Sequence, residues 1–236
     1  YLSSGNYQIK LNGNFIGSWK REEEHFFKGR VFEVILNTLY SCKWMGVLHA
    51  SAIGNNKNSL LFLGNSGSGK STATALAVSN GQFFIADDFV AVNLYGEAFV
   101  FPAALSLKGK TIDLLGKHFL DSNQYVKNLD NNRSVHHLSL PIIQNSNSRK
   151  VKHLVFVDYN LNVDFEFKSL NKQLAFQSLV LDSWISPDAE SAAFFMKWMG
   201  DTPCYSLRYS NIDKMLETIN TLLENVFAVY NFAAIA

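Results

Sequence analysis

The first polar and apolar pattern along the chain is strict alternation. Tyr7-Gln8-Ile9-Lys10-Leu11 and Asn14-Phe15-Ile16-Gly17-Ser18-Trp19 flank Asn12-Gly13. An Asn-Gly pair tolerates positive φ, so this stretch predicts a tight β-hairpin. After the charged run from Lys20 to Glu24 the period lengthens. Phe27, Val31, Ile35, Leu39 and Cys42 recur at helical spacing, which predicts an amphipathic helix stopping near Gly46. Val47 to Ile53 then reads as a strand, with His49 near its middle and Ser51 on the same face. A turn over 54–58 leads into Leu60-Leu61-Phe62-Leu63, a continuous apolar run of the length expected for a buried central strand.

Beyond this run helices and strands alternate. Ala73 to Val78 predicts a helix closed by Asn80-Gly81, and Phe83 to Ala86 a strand ending in Asp87-Asp88. Phe89 to Tyr95 and Ala98 to Phe101, joined at Gly96, predict a second hairpin. From Asp121 to Lys150 Asn and Ser dominate and periodicity is weak, so this stretch predicts loop. Leu154 to Val157 and Phe165 to Phe167 read as strands, 171–184 and 188–199 as helices, and Cys204 to Tyr209 as a strand. Asn211 reads as the cap of a last helix reaching about Phe227. Hairpins this frequent among helices indicate an α/β chain with a mixed sheet and flanking helices, not a purely parallel sheet.

Composition narrows the class. A chain 47% hydrophobic and only 17% charged is neither disordered nor a coiled coil. With 21 Lys and Arg against 20 Asp and Glu the net charge is +1, which argues against a nucleic-acid partner needing a basic excess. Cys42 and Cys204 show no metal-ligand spacing and read as reduced, buried thiols. No apolar run approaches the ~18 residues of a membrane span. No signal peptide is read, although a sequence opening on Tyr1 and not Met gives that little weight. The expectation is a cytoplasmic protein with no membrane partner.

The candidate chemistry begins at Gly64. Gly64-Asn65-Ser66-Gly67-Ser68-Gly69-Lys70-Ser71 fits G-x-x-x-x-G-K-[ST], with a buried strand before it and a helix after it, and Thr72 follows. Glycines let consecutive N–H groups turn inward around a phosphate chain, and the helix adds its positive end. Lys70 supplies a mobile cation and Ser71 a hydroxyl for Mg²⁺, so a nucleoside triphosphate such as ATP is the expected cofactor. Asp87 and Asp88 close the next strand beside this loop. Neighbours on a strand face opposite ways, so one carboxylate is expected to hold Mg²⁺ and the other to accept a hydroxyl proton. His49 is a candidate for orienting an aspartate or, equally on spacing, a core histidine. Lys108 and Arg133 are candidate anion contacts by charge alone. His118, His136 and His137 lack ligand spacing and read as surface residues.

Leu48-His49-Ala50-Ser51-Ala52, the loop and Ala86-Asp87-Asp88 together resemble the catalytic domain of bacterial HPr kinase/phosphorylase. They resemble still more the HPr-kinase-like proteins encoded beside peptide-modification genes. Leu105-Ser106-Leu107-Lys108-Gly109-Lys110-Thr111-Ile112-Asp113-Leu114 and Thr202-Pro203-Cys204-Tyr205-Ser206-Leu207-Arg208-Tyr209 resemble later segments of the group. The resemblance implies a nucleotide-binding fold akin to phosphoenolpyruvate carboxykinase and phosphorylation of a serine. It implies Asp87 as general base supported by His49, Ser71 and Asp88 as Mg²⁺ ligands, and Lys70 on the transferred group. Residues 1–46 read as a hairpin-and-helix appendage, not the large separate N-terminal domain of the HPr enzymes, and 47–236 as the catalytic domain that carries the resemblance. This chain departs from the HPr enzymes at Thr72, where they carry glutamate, and at Lys108, where they carry arginine.

The leading expectation is therefore a Mg²⁺- and ATP-dependent kinase for a hydroxyl of a peptide, protein or small molecule. The alternatives are a nucleotide-binding ATPase or switch with no dedicated acceptor, and a binding module built on a degenerate site. A transporter-type ATPase signature such as LSGGQ is missing from the sequence, and both aspartates and the loop are intact. The apolar tail from Phe227 to Ala236 is read as packing on the body, with an oligomer left open.

Overall fold

A computed structural model describes residues 2–3, 6–11, 13–20, 31, 34, 44–101, 104–108, 115, 125–130, 133–138, 140 and 147–224. In chain order these hold β1 (Leu2–Ser3), β2 (Asn6–Leu11), β3 (Asn14–Lys20), β4 (Gly46–Leu48), β5 (Ser51–Gly54) and β6 (Asn58–Leu63). Helix α1 (Lys70–Ser79) follows, then β7 (Phe83–Ala86), β8 (Val90–Val92), β9 (Glu97–Phe99), β10 (Leu105–Lys108), β11 (Tyr125–Asp130) and β12 (Arg133–Leu138). The C-terminal part comprises β13 (Ser148–Tyr159), β14 (Phe165–Ser169), α2 (Lys172–Val180), β15 (Trp184–Ile185), α3 (Ala189–Asp201), β16 (Cys204–Tyr209) and α4 (Ile212–Leu223). The result is a mixed α/β fold, with four helices among the described residues.

β1, β2 and β3 form a separate antiparallel sheet, in which Leu11 pairs with Asn14 across the expected two-residue turn. Gly13 there has φ 84°, the left-handed backbone such a turn demands. The helix expected over Phe27 to Cys42 lies outside the described residues, apart from Val31 and Val34, both helical. His118 and the tail beyond Glu224 lie outside them too.

Among the described residues the main sheet has ten strands. β13 runs parallel to β6 and β16 and antiparallel to β9, which makes the sheet mixed. Residues of β6 alternate between two cores. Leu60 and Phe62 pack with α1 and α4, while Leu61 and Leu63 pack on the other face with α2 and α3. All six β6 residues are buried, as a strand covered on both faces requires. The caps of α2, α3 and α4 are Asn171, Asp188 and Asn211, each accepting a backbone N–H in the first turn.

Three expectations are corrected. The stretch 121–150 is not largely loop: β11 and β12 pair antiparallel within it, and β12 also pairs with β10 to make a third sheet. His136 and His137 accordingly sit on a strand, not in irregular chain. Val47 to Ile53 is not one strand, because the ladder breaks at His49 and Ala50. β4 pairs with β8 (Leu48 opposite Val90) and β5 pairs with β7 (Ala52 opposite Ala86), in one shared antiparallel register. Carried through the break, that register sets Ala50 opposite Asp88 and Ser51 opposite Asp87.

Candidate functional site

The break in the ladder and the loop after β6 meet at one edge of the sheet. Leaving β6, the chain turns through Gly64 (φ 133°), Gly67 (φ 86°) and Gly69 (φ 101°) before entering α1 at Lys70. At Gly64 a β-carbon would lie 2.8 Å from Ser68 Oγ and 2.9 Å from the Val157 carbonyl, so glycine is demanded by space as well as by φ. The Ser68 N–H donates to Asn65 O (3.1 Å), and the Tyr159 N–H donates to Ser68 O (2.9 Å), which docks the loop on the end of β13. Asn65, Ser66 and Gly67 form its exposed tip, and Thr72 lies half-buried in the first turn of α1.

Helix α1 starts differently from the other three. Its N-cap is the left-handed Gly69, with no side-chain cap bond, and like α2 it has no acidic residue in the first turn. The positive end of α1 is thus not matched by a protein carboxylate of its own first turn, the condition under which helix N-termini receive anions. Lys70 is 7% exposed, and its Nζ donates to Gly64 O (2.7 Å) and Asn65 O (3.2 Å), strapping the start of the loop to its end.

Ser71 Oγ donates to both oxygens of Asp87, each at 3.1 Å. Asp87 is 2% exposed. Burial foremost, and the neighbouring Asp88 charge after it, push its pKa up to about 6, against opposing hydrogen bonds from Ser51, Ser71 and the Asp88 backbone. Ser51 Oγ in turn donates to Ala86 O (3.3 Å) and shares a hydrogen bond with Thr74 Oγ1 of α1. Asp88 is exposed and left-handed, at φ 67°, where a non-glycine residue stores strain. No cluster of three or more His, Cys, Asp or Glu suited to a metal occurs among the described residues. One hydroxyl and two adjacent carboxylates nevertheless form an all-oxygen donor set. Mg²⁺ suits such a set, taking one or two carboxylates and completing its shell from phosphate and water.

His49 does not have Asp87 as its ion-pair partner. Its Nδ1 lies 3.9 Å from Asp182 Oδ2, and its backbone N–H donates to Ser183 Oγ at 3.1 Å. Burial foremost, and the Lys70 charge after it, lower its pKa from the usual imidazole value, while Asp182 and Asp88 act to raise it. His49 and Asp182 line a pocket with Leu63, Gly64, Asn65, Phe156, Ser178 and Leu179. Neither Asp182 nor Ser183 stands out in the sequence, where both fall at the end of an expected helix. The backbone of Lys108 lies opposite Val135 and that of Arg133 opposite Asp130, both on the third sheet.

No family model matches the sequence, and no curated protein matches it. Among solved structures the chain is similar to the HPr(Ser) kinase/phosphatase from Coxiella burnetii, with 12% identity and a TM-score of 0.33. The match covers 77% of this chain and 95% of that one. A likeness at that level carries no functional weight.

Proposed function

We propose that the chain is an ATP-dependent, Mg²⁺-assisted phosphotransferase of the HPr-serine-kinase kind, acting on a hydroxyl, seryl foremost, of a peptide, protein or small molecule. One observation carries the reading: Ser71, at the junction of the glycine loop and α1, donates to the buried carboxylate of Asp87. The contact joins a helix end suited to phosphate with an acid suited to proton transfer, and phosphoryl transfer needs both within reach of one another.

In this reading Gly64 to Thr72 is a phosphate loop whose N–H groups, with the α1 dipole, hold the triphosphate. Lys70 exchanges the carbonyls of Gly64 and Asn65 for the terminal phosphates, where its charge offsets that of the transferred group. Ser71 and Asp88 hold Mg²⁺, which when bound supplies charge neutralisation on the phosphoryl oxygens. Asp87 accepts the proton of the acceptor hydroxyl. Its pKa of about 6 leaves it ionised at pH 7 and a better base than a solvated aspartate.

The test is incubation of the chain with Mg²⁺-ATP and free serine, a serine-containing peptide or HPr, following ADP and acceptor mass. ADP formed only with an acceptor that gains a phosphoryl group is the expected result. ADP released at the same rate without any acceptor makes the protein an ATPase, and nucleotide binding without turnover makes it a binding module. Either outcome overturns the proposal.

A further inference from the structure

The two-residue strand β15 lies at the edge of the main sheet, beside β4. Trp184 pairs with Val47 and Ile185 with Gly46, antiparallel. One step back, that register sets Ser183 opposite Leu48, and the next sets Asp182 opposite His49. The side chains follow the register: Ser183 Oγ accepts the His49 N–H, and the Asp182 carboxylate faces His49 Nδ1. At the other end of the clasp the Ser186 N–H donates to Met45 O at 3.2 Å. The corner between α2 and β15 thus takes hold of the chain where the β4–β5 ladder breaks.

The same corner closes a pocket. Ser178 and Leu179 come from the last turns of α2, His49 from the break, and Gly64 and Asn65 from the first residues of the loop. The pocket abuts the loop that the phosphotransferase reading gives to the nucleotide, and His49 is part of its lining. The Asp182 carboxylate lies 3.9 Å from Nδ1, beyond hydrogen-bond reach, and its charge favours the tautomer with the proton on Nδ1, which leaves Nε2 as the acceptor. A donor group of the acceptor other than the reacting hydroxyl, whose proton goes to Asp87, is matched to that edge.

We propose that Asp182 is a positioning residue for His49, and that the pocket closed by the α2–β15 corner receives the hydroxyl acceptor. The proposal rests on the phosphotransferase reading for the identity of the occupant, but not for the pairing of Asp182 with His49. Side chains 57% exposed at Asp182 and 31% exposed at His49 make the coupling moderate. The expected loss is therefore at the lower end of what removal of a supporting carboxylate brings, about tenfold.

The experiment uses the full chain as wild type and as Asp182→Asn, Asp182→Glu, His49→Ala and the His49→Ala/Asp182→Asn double variant. With an acceptor that the wild type phosphorylates, Asp182→Asn lowers kcat/KM for the acceptor about tenfold and leaves the KM for ATP unchanged. Asp182→Glu recovers most of the loss. The double variant is no slower than His49→Ala alone, because Asp182 acts through His49. Multiplicative losses in the double variant, or an equal loss in the KM for ATP, overturn the proposal. A second readout needs no turnover: ¹⁵N spectra of histidine-labelled protein report which ring nitrogen of His49 carries the proton. Asp182→Asn is expected to abolish the Nδ1–H preference, and an unchanged tautomer overturns the pairing. If the wild type phosphorylates nothing while the tautomer responds, the kinase reading falls and the positioning role of Asp182 stands.

Discussion

Asp87 concentrates the conflict between stability and function in one side chain. An aspartate in the unfolded chain ionises near 3.8, whereas burial and Asp88 hold the folded carboxyl at about 6. The folded state therefore binds its proton more tightly. The stability that this preference contributes is full below pH 3.8 and is lost as pH rises through 6. At pH 7 the buried anion costs on the order of 2–3 kcal/mol, roughly two pKa units at 1.36 kcal/mol each. Asp87→Asn removes the charge and keeps the shape. In the absence of Mg²⁺ and nucleotide the variant is expected to be more stable than wild type at pH 7, by up to about 2 kcal/mol once altered hydrogen bonds are allowed for. The advantage fades towards pH 4. Urea denaturation at pH 4, 5.5 and 7 measures it, and a variant less stable than wild type at pH 7 would refute the account. Phosphotransfer is expected to be lost in the same variant, the usual cost of relaxing a site that holds an unfavourable group for use.

At the scale of elements, the unit of β6, glycine loop and α1 is held by backbone geometry. Gly67 is left-handed, with no atom within 4 Å of the point where a β-carbon would stand, so Gly67→Ala meets only conformational strain, about 1–2 kcal/mol. Gly64 at φ 133° meets the Val157 carbonyl, part of the central strand β13, which cannot give way without disturbing its ladders to β6 and β16. Gly64→Ala is therefore expected to cost about 3 kcal/mol or more and to weaken nucleotide binding well beyond Gly67→Ala. Denaturant midpoints and a nucleotide titration of both variants decide it, and equal losses contradict the steric account. What the sequence reveals here follows from range. The loop, the apolar run of β6, the strand before Asp87 and the Asn211 cap are written in adjacent residues, so spacing and residue type suffice. β11 and β12 are hidden because Lys127, Asn128, Asp130 and Arg133 interrupt any alternation, and pairing with β10 supplies what their composition does not. The break at His49 is hidden for a different reason. No glycine or proline marks it, and it arises because β4 and β5 pair mainly with different strands. Ser183 reaches His49 from 134 residues away, a relation that only the β15 register creates.

The whole molecule turns on β6 and β13, since both cores use them. Leu60, Phe62, Val155 and Val157 face α1 and α4, while Leu61, Leu63 and Leu154 face α2 and α3. Neither core can melt alone without stripping one face of a shared, parallel-paired ladder. With a net charge of only +1, the chain has no general field to draw in a phosphate, so in the proposed phosphotransferase the binding surface must be kept in shape locally, at the loop and the α1 end. That shape depends on both cores, because α1 sits on one face and the α2–β15 corner on the other. Unfolding is accordingly expected to be a single cooperative transition. Leu60→Ala and Leu61→Ala, both fully buried but on opposite faces, should each cost about 2–5 kcal/mol. Trp198 of α3 lies in the core shared with α2, and with Trp19, Trp44 and Trp184 replaced by Phe in every variant compared it alone reports that face by fluorescence, whereas far-UV circular dichroism reports every helix. If the cores unfold together, Leu60→Ala shifts the fluorescence midpoint as far as the dichroism midpoint, although Leu60 packs on the face away from Trp198. A dichroism transition that moves while the fluorescence midpoint stays fixed would show two independent halves, and the site would then be a junction between them, not the edge of one sheet.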